Sequence, residues 1–258
     1  MSSNIDIAAE VLYNAEAYKT TCPPVREMIG DSDVETAYRV QLKNVARKVA
    51  AGETIVGKKI GLTSFAVQKQ LGVDQPDYGV LYGSTQIKNG GSLNFGELMQ
   101  PKAEAEIAFV MKKDLDGEIT LDRLVDSIDY AVAAIEIVGS RVENWDIRIT
   151  DTIADNASAS HFVLGETKKT IDQLDLVNCS MEMTRNGEIA SKGNGKACMD
   201  NPLNAALWLA RVMAKQEQPL RKGEVLLSGA LGPMVVIEQG DEFEATIDGL
   251  GSVTVKID

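Results

Sequence analysis

The sequence predicts an α+β protein with a smaller helical part over residues 1–53 and a closed or sandwiched β core over residues 54–258, with helices packed outside it. Three observations predict this. Apolar residues near the N-terminus recur at helix spacing. From Thr54 the pattern changes to short β-like runs. The tail is a series of short strands divided by Gly-containing turns.

Taken in order, Ile7, Val11, Leu12 and Ala15 fall on one face of a first helix. Ser32-Asp33-Val34-Glu35 has the capping-box spacing that opens a second. That helix carries Val34, Ala37, Tyr38, Gln41 and Val45 and ends near Gly52. Residues 54–57, 78–82, 105–111 and 162–164 are β-like. Asp200-Asn201-Pro202 opens another helix, because an Asx residue suits the cap and proline the first turn. Leu203, Ala206, Leu207, Ala210 and Met213 form its apolar stripe. Strands over residues 225–227, 234–237, 243–247 and 252–257 complete the chain, with Asp248-Gly249 as a turn.

At 258 residues this is one large domain, or one with a small appendage, and 44% hydrophobic residues suffice to fill a core without staples. Cys22, Cys179 and Cys198 are odd in number and lack C-x-x-C spacing, which argues against a disulfide framework or a thiolate zinc site. The first residues show no signal-peptide pattern, and no apolar run approaches the ~18 residues of a membrane helix. A cytoplasmic protein without membrane association is expected. The net charge of -12, with no Lys/Arg cluster, argues against nucleic acid as a partner. There is no internal repeat, low-complexity segment or linker.

Three carboxylates stand where carboxylates are costly. Glu104 and Glu106 share a strand face with Ala108 and Val110, while Ala105, Ile107 and Phe109 share the other. Glu136 interrupts the apolar run over residues 131–138, so it needs a partner or must hold its proton. Three oxygen donors with no Cys or His nearby suit a hard cation, Mg²⁺ or Mn²⁺. His161 is the sole histidine, which removes His-rich metal sites and argues against a Ser-His-Asp triad.

Alternation sends Lys58 and Lys59 to opposite strand faces, so one of them points inward, and the pattern does not say which. A desolvated lysine has a lowered pKa and moves protons near neutrality. Three polar segments, residues 72–79, 151–160 and 227–233, read as turns or as loops that close on a ligand. The last lacks the Lys-Ser/Thr of a phosphate loop.

Read jointly, these segments resemble the fumarylacetoacetate hydrolase superfamily and, within it, the 2-keto-4-pentenoate (2-hydroxypenta-2,4-dienoate) hydratases. The resemblance covers nearly the whole chain. It rests on Gly57-Lys-Lys-Ile-Gly-Leu-Thr63, Leu71-Gly-Val-Asp-Gln-Pro-Asp-Tyr-Gly79, Pro101-Lys-Ala-Glu-Ala-Glu-Ile107, Glu136-Ile-Val-Gly-Ser-Arg141, Asp151-Thr-Ile-Ala-Asp-Asn-Ala-Ser158 and Ser228-Gly-Ala-Leu-Gly-Pro233.

The resemblance implies a mixed β-roll or barrel core of the fumarylacetoacetase-like type with a smaller helical N-terminal part. It implies that Glu104, Glu106 and Glu136 bind Mg²⁺ or Mn²⁺. The family's active-site lysine falls on Lys59, its motif acid on Asp77 and its loop serine on Ser158. Asp155 and Asn156, with Gly229, Ala230 and Leu231, are expected to bind substrate. The implied reaction hydrates a small 2-hydroxy dienoic acid to a 4-hydroxy-2-oxo acid in aromatic-compound meta-cleavage degradation. A homo-oligomer is implied, as is association with a pathway decarboxylase or aldolase.

The sister 4-oxalocrotonate (2-oxo-3-hexenedioate) decarboxylases share the Glu triad and the Lys motif. The segment Ser228–Pro233 has the hydratase form, which places the hydratase first. A hydratase of a longer 2-oxo dienedioate remains open, because the sequence does not fix the substrate's tail. A C–C bond hydrolase ranks below these, since His161 has no acid beside it in sequence. A non-catalytic partner subunit is opposed by the intact Glu104, Glu106, Glu136 and Lys59.

Overall fold

A computed structural model describes residues 3–71 and 73–258, so Met1, Ser2 and Gly72 of the segments read above lie outside the described residues. The chain opens with helices α1 (Asn4–Tyr18), α2 (Arg26–Ile29) and α3 (Val34–Ala50). Ala8, Ala9, Leu12 and Ala15 pack against Ala37 and Val40, together with Val142, Ile153 and Ala154 from later in the chain. The buried stripe of α1 runs through three alanines, Ala8, Ala9 and Ala15, small side chains that let α3 approach closely. Ile7, expected on that stripe, is instead 43% exposed. The cap of α3 also differs from expectation. Asp33, not Ser32, takes the position, its carboxylate accepting the Thr36 N–H at 2.9 Å. An ionised acceptor at a helix N-terminus gains from the dipole as well as the hydrogen bond.

The rest of the chain runs β1 (Ile55–Gly61), α4 (Phe65–Leu71), β2 (Asp77–Tyr82), β3 (Gln86–Ile87), β4 (Ser92–Leu93), β5 (Lys102–Met111), α5 (Leu121–Ser127), β6 (Ile128–Val138), α6 (Ile149–Ala154), β7 (Ala159–Leu164), β8 (Ser180–Arg185), β9 (Glu188–Asn194), α7 (Pro202–Lys215), β10 (Val225–Ala230), β11 (Val235–Val236), β12 (Glu242–Ile247) and β13 (Gly251–Ile257). One mixed sheet has the order β2-β1-β10-β5-β6-β7-β3, with β11 also on β5. A second sheet has the order β4-β13-β12-β8-β9.

The two faces of β5 and β6 build different cores. Ala105, Ile107, Phe109, Ile135 and Ile137 face the second sheet and α7, against Met183, Phe243, Val253, Leu209 and Met213. Ala108, Val132 and Ala134 face inward with Leu81, Phe162 and Leu227. The first sheet curls around this inner face. Asn156, just before β7, clasps the far strand β2. Its Oδ1 accepts the Val80 N–H at 2.8 Å, and its Nδ2 donates to the Val80 carbonyl at 3.0 Å. Gly79 permits the approach, because a Cβ there would lie 2.2 Å from the Asn156 carbonyl oxygen. The expected α+β roll is therefore present, and the end of its inner face carries the acids. Among the described residues no helix is long and apolar enough to cross a membrane.

Candidate active site

The pairing of β5 with β6 sets Glu104 directly opposite Glu136 and Glu106 opposite Ala134. One oxygen from each of the three acids lies within 4.8 Å of the others. Glu106 and Glu136 are both 0% exposed. Glu106 accepts the Gly229 N–H at 2.8 Å through Oε2, and Glu136 accepts Lys59 Nζ at 2.9 Å through its own Oε2. Their other oxygens, Glu106 Oε1 and Glu136 Oε1, are buried without a partner.

Buried acceptors left unpaired are rare and costly. Two of them beside a third carboxylate fit a hard cation, and the all-oxygen donor set fits the same chemistry. The electrostatics agree. Burial and the charges of Glu136 and Glu104 push Glu106 well above the usual carboxylate range. Burial, partly offset by Lys59, pushes Glu104 up to about 7. Divalent charge among the three would reverse that penalty.

Lys59 is the inward lysine. It is 3% exposed and lines a cavity of about 440 Å³ together with Asp77, Glu104, Thr152 and Ser158. Lys58 points the other way, to Glu224 at 3.3 Å. The expectation of a lowered lysine pKa fails here. Burial does pull Lys59 down, but Glu136, Glu104, Glu106 and Asp77 surround it and raise it above the ordinary value. The ammonium is therefore a fixed positive charge in a nest of acids.

Asp77 opens β2 across from Gly61 on β1. Burial pushes its carboxyl up to about 6, against the opposing charge of Lys59. Its Oδ1 is buried without a partner, while Oδ2 accepts from Thr152 Oγ1 at 3.3 Å. Thr152 Oγ1 also lies 3.4 Å from Ser158 Oγ. A hydroxyl has one proton, so once Thr152 donates to Asp77, Ser158 donates to Thr152. The three side chains form a relay. Thr152 is a site residue that the sequence reading misses, although it sits inside the quoted segment that ends at Ser158.

Ser158 reaches the cavity through an unusual backbone. Asn156, Ala157 and Ser158 have φ of 56°, 49° and 58°, three successive non-glycine residues in the left-handed region. Such conformations cost energy and persist only when the surroundings fix them. Here the Asn156 clasp on Val80 holds one end, and the Gly139 N–H donating to the Ser158 carbonyl at 2.8 Å holds the other.

Not every expected residue reaches the cavity. Asp155 is taken up by Arg141, which bonds it through both its guanidinium and its backbone N–H, the latter at 2.9 Å. Asn156 is spent on Val80, and Leu231 is fully buried, with its N–H on the Ala105 carbonyl at 3.0 Å. These three shape the wall and do not line the cavity. Gly229 acts through Glu106, and of the glycine-rich segment Ala230, Gly232 and Pro233 line the cavity. His161 lies apart, its Nδ1 2.9 Å from Ser160 Oγ, and no histidine is among the residues that line the site.

Residues 47–258 match the family model described as the C-terminal part of fumarylacetoacetate (FAA) hydrolase. The chain belongs to the fumarylacetoacetate hydrolase family. A protein from Pseudomonas putida named TodF product hydratase is 54% identical over 96% of this chain and 92% of its own. 2-Keto-4-pentenoate hydratase 1 of Dechloromonas aromatica is 48% identical over 96% of this chain and 95% of its own. The solved structure of 4-oxalocrotonate decarboxylase from Pseudomonas putida G7, complexed with magnesium and adipate, superposes with a TM-score of 0.94 at 32% identity, covering 98% of this chain and 97% of that one.

In this member of the fumarylacetoacetate hydrolase family, one glycine has a role that depends on its lacking a side chain. A Cβ at Gly61 would lie 2.2 Å from Asp77 Oδ1. Gly61→Ala is expected to push the Asp77 carboxyl out of place and, with Asp77 as the catalytic residue the family resemblance implies, to lower kcat by roughly tenfold or more, since small misplacements of reacting groups are expensive. Steady-state rates alongside circular dichroism check this. A folded variant with wild-type kcat would remove Asp77 from the chemistry.

Proposed function

We propose that the chain is a divalent-metal-dependent hydratase that adds water to 2-hydroxypenta-2,4-dienoate, giving 4-hydroxy-2-oxopentanoate, in aromatic-compound meta-cleavage degradation. The observation that carries this reading is the buried Glu104, Glu106 and Glu136 cluster, with its two unpartnered oxygens, beside the cavity that Lys59 and Asp77 line. The relatives named as hydratases support the choice of reaction.

Glu104, Glu106 and Glu136 would hold Mg²⁺ or Mn²⁺, which when bound supplies positive charge to polarise the substrate's 2-oxygen and anchor its carboxylate. Lys59 places a second positive charge against the negative charge that develops as the dienol ionises. Ketonisation with a proton added at C5 gives a 2-oxo-3-enoate, an electron-poor alkene. Water then adds at C4, and C3 takes a proton. Asp77 takes the proton of the attacking water through its unpartnered Oδ1, while Thr152, itself held by Ser158, donates to its other oxygen.

This assignment gives a pH prediction. A carboxyl with a pKa of about 6 is ionised above that pH and competent as a base only there. The kcat profile should fall as pH drops through about 6. Asp77→Asn should lower kcat at neutral pH and abolish this acidic limb. A limb that persists in Asp77→Asn assigns it to another group.

A homo-oligomer in the cytoplasm, associating with a pathway decarboxylase or aldolase, belongs to the same proposal and rests on the family resemblance alone. Sedimentation of the purified chain tests the first part. The decarboxylase reading draws on the magnesium-bound neighbour of the same fold. One assay separates the two. With Mg²⁺ and 2-hydroxypentadienoate, loss of dienol absorbance with formation of the 4-hydroxy-2-oxo acid supports the hydratase. CO₂ release from the six-carbon diacid, without hydration of the pentadienoate, overturns it.

A further inference from the structure

The cavity's lining is sharply divided. Lys59, Asp77 and Glu104 carry its charge, and Lys59 is already paired with Glu136. Leu62, Val67, Val138, Ile147 and Met234 give the remainder an apolar surface, completed by the ring of Trp145. A second cation stands just behind that surface. Lys102 Nζ lies 4.1 Å from the centroid of the Trp145 ring, and the ring lines the cavity where the ammonium does not. Among the described residues Lys102 makes no direct ion pair; Glu104, two residues on along the same strand, acts on it only at longer range, and an aromatic face lies against its ammonium.

Trp145 is held in place independently of Lys102. Its Nε1 donates to the Gln100 carbonyl at 2.9 Å. Gln100 in turn donates to the Ser140 and Val142 carbonyls at 2.8 and 2.7 Å. Asn144 and Trp145 both sit in the left-handed region, with φ of 57° and 54°, which turns the ring back over the strand end.

We propose that Trp145 is a specificity-determining residue. By sheathing Lys102 it gives the tail cavity an apolar wall and selects substrates with an uncharged tail over those ending in a second carboxylate. A distal carboxylate entering this cavity meets mainly aliphatic side chains, a few Ser and Thr hydroxyls, Asp77 and Glu104, and loses its water without gaining a cation that is not already paired. Removing the ring exposes Lys102 and supplies the missing partner. The proposal rests on the hydratase reading only for the position of the substrate's 2-oxo acid head.

The test measures binding of 2-oxopentanoate and 2-oxohexanedioate by calorimetry in Mg²⁺, for the wild type, Trp145→Ala, Trp145→Ala with Lys102→Met, and Trp145→Phe. The wild type is expected to bind the monoacid at least tenfold more tightly than the diacid. Trp145→Ala is expected to close that gap by tenfold or more, by strengthening the diacid. Adding Lys102→Met should restore the preference, and Trp145→Phe, which keeps a ring, should retain it. Equal binding of both acids by the wild type overturns the proposal. So does a gap that closes in Trp145→Ala and stays closed after Lys102→Met, since that would show a gain of space alone. If neither acid binds the wild type in Mg²⁺, the head-group reading itself fails, a result distinct from a lost tail preference.

Discussion

Glu106→Gln should abolish metal-dependent turnover, lowering kcat by about 10³-fold or more, the scale expected when a charge-stabilising centre is lost. The substitution is nearly isosteric and keeps the fold. Glu106 Oε2 accepts the Gly229 N–H, and an amide oxygen accepts it equally well. That bond orients the new group, so its NH₂ falls where Glu106 Oε1 now lies unpartnered. A donor then points at the place a cation would occupy. Burial and the neighbouring Glu136 and Glu104 already raise the Glu106 pKa, so a neutral amide relieves repulsion in the metal-free protein. The metal-free variant should melt at the wild-type temperature or higher. It should also lose the upward shift that Mg²⁺ gives the wild type, because a ligand stabilises only the state that binds it. Thermal melts with and without Mg²⁺, beside rate measurements, read both effects. Full activity in metal-free buffer, or an intact Mg²⁺ shift, would sink the assignment of Glu106 as a ligand.

The acids were legible in the sequence through local pattern. Glu104 and Glu106 kept a strand's period of two, and Glu136 interrupted an apolar run. What spacing could not supply was register. Only the β5–β6 pairing puts Glu104 opposite Glu136, and pairing is set by the whole roll. Helix α7 was legible through its local start signal, and Asn201 does cap it, accepting the Leu203 N–H at 2.9 Å. The hairpin of β8 and β9 carries an Asn186-Gly187 turn signal, but β9 is mostly exposed and shows no apolar alternation, so strand patterning passes over it.

Asp155 and Asn156 look functional because they are polar, clustered and beside small residues. Their partners, Arg141 and Val80, lie 14 and 76 residues away in sequence, and nothing local reveals that they are already committed. The lysine pKa is a related case. Burial was inferred correctly from the apolar strand, yet the sign of the shift depends on four acids brought in from three other strands. Local sequence reports desolvation more readily than it reports the field.

That field determines what Lys59→Ala should do. Lys59 is the one cation among the described residues lining the cavity, and in the proposed mechanism losing it removes the charge that faces the developing enolate. We expect kcat to fall by about 10²-fold or more and KM to change much less, since the interaction strengthens as negative charge develops. A second consequence follows from the same charge. The Lys59 ammonium is what opposes burial at Asp77, so without it the Asp77 carboxyl must rise further above about 6. The acidic limb of the residual kcat profile should move to higher pH in Lys59→Ala, while Glu136 Oε2, relieved of its lysine, remains available to the metal. Rate profiles in saturating Mg²⁺ separate the outcomes. An unchanged kcat removes Lys59 from the chemistry. A lowered kcat with an unmoved limb keeps Lys59 as a stabiliser but assigns the limb to a group that does not feel its charge.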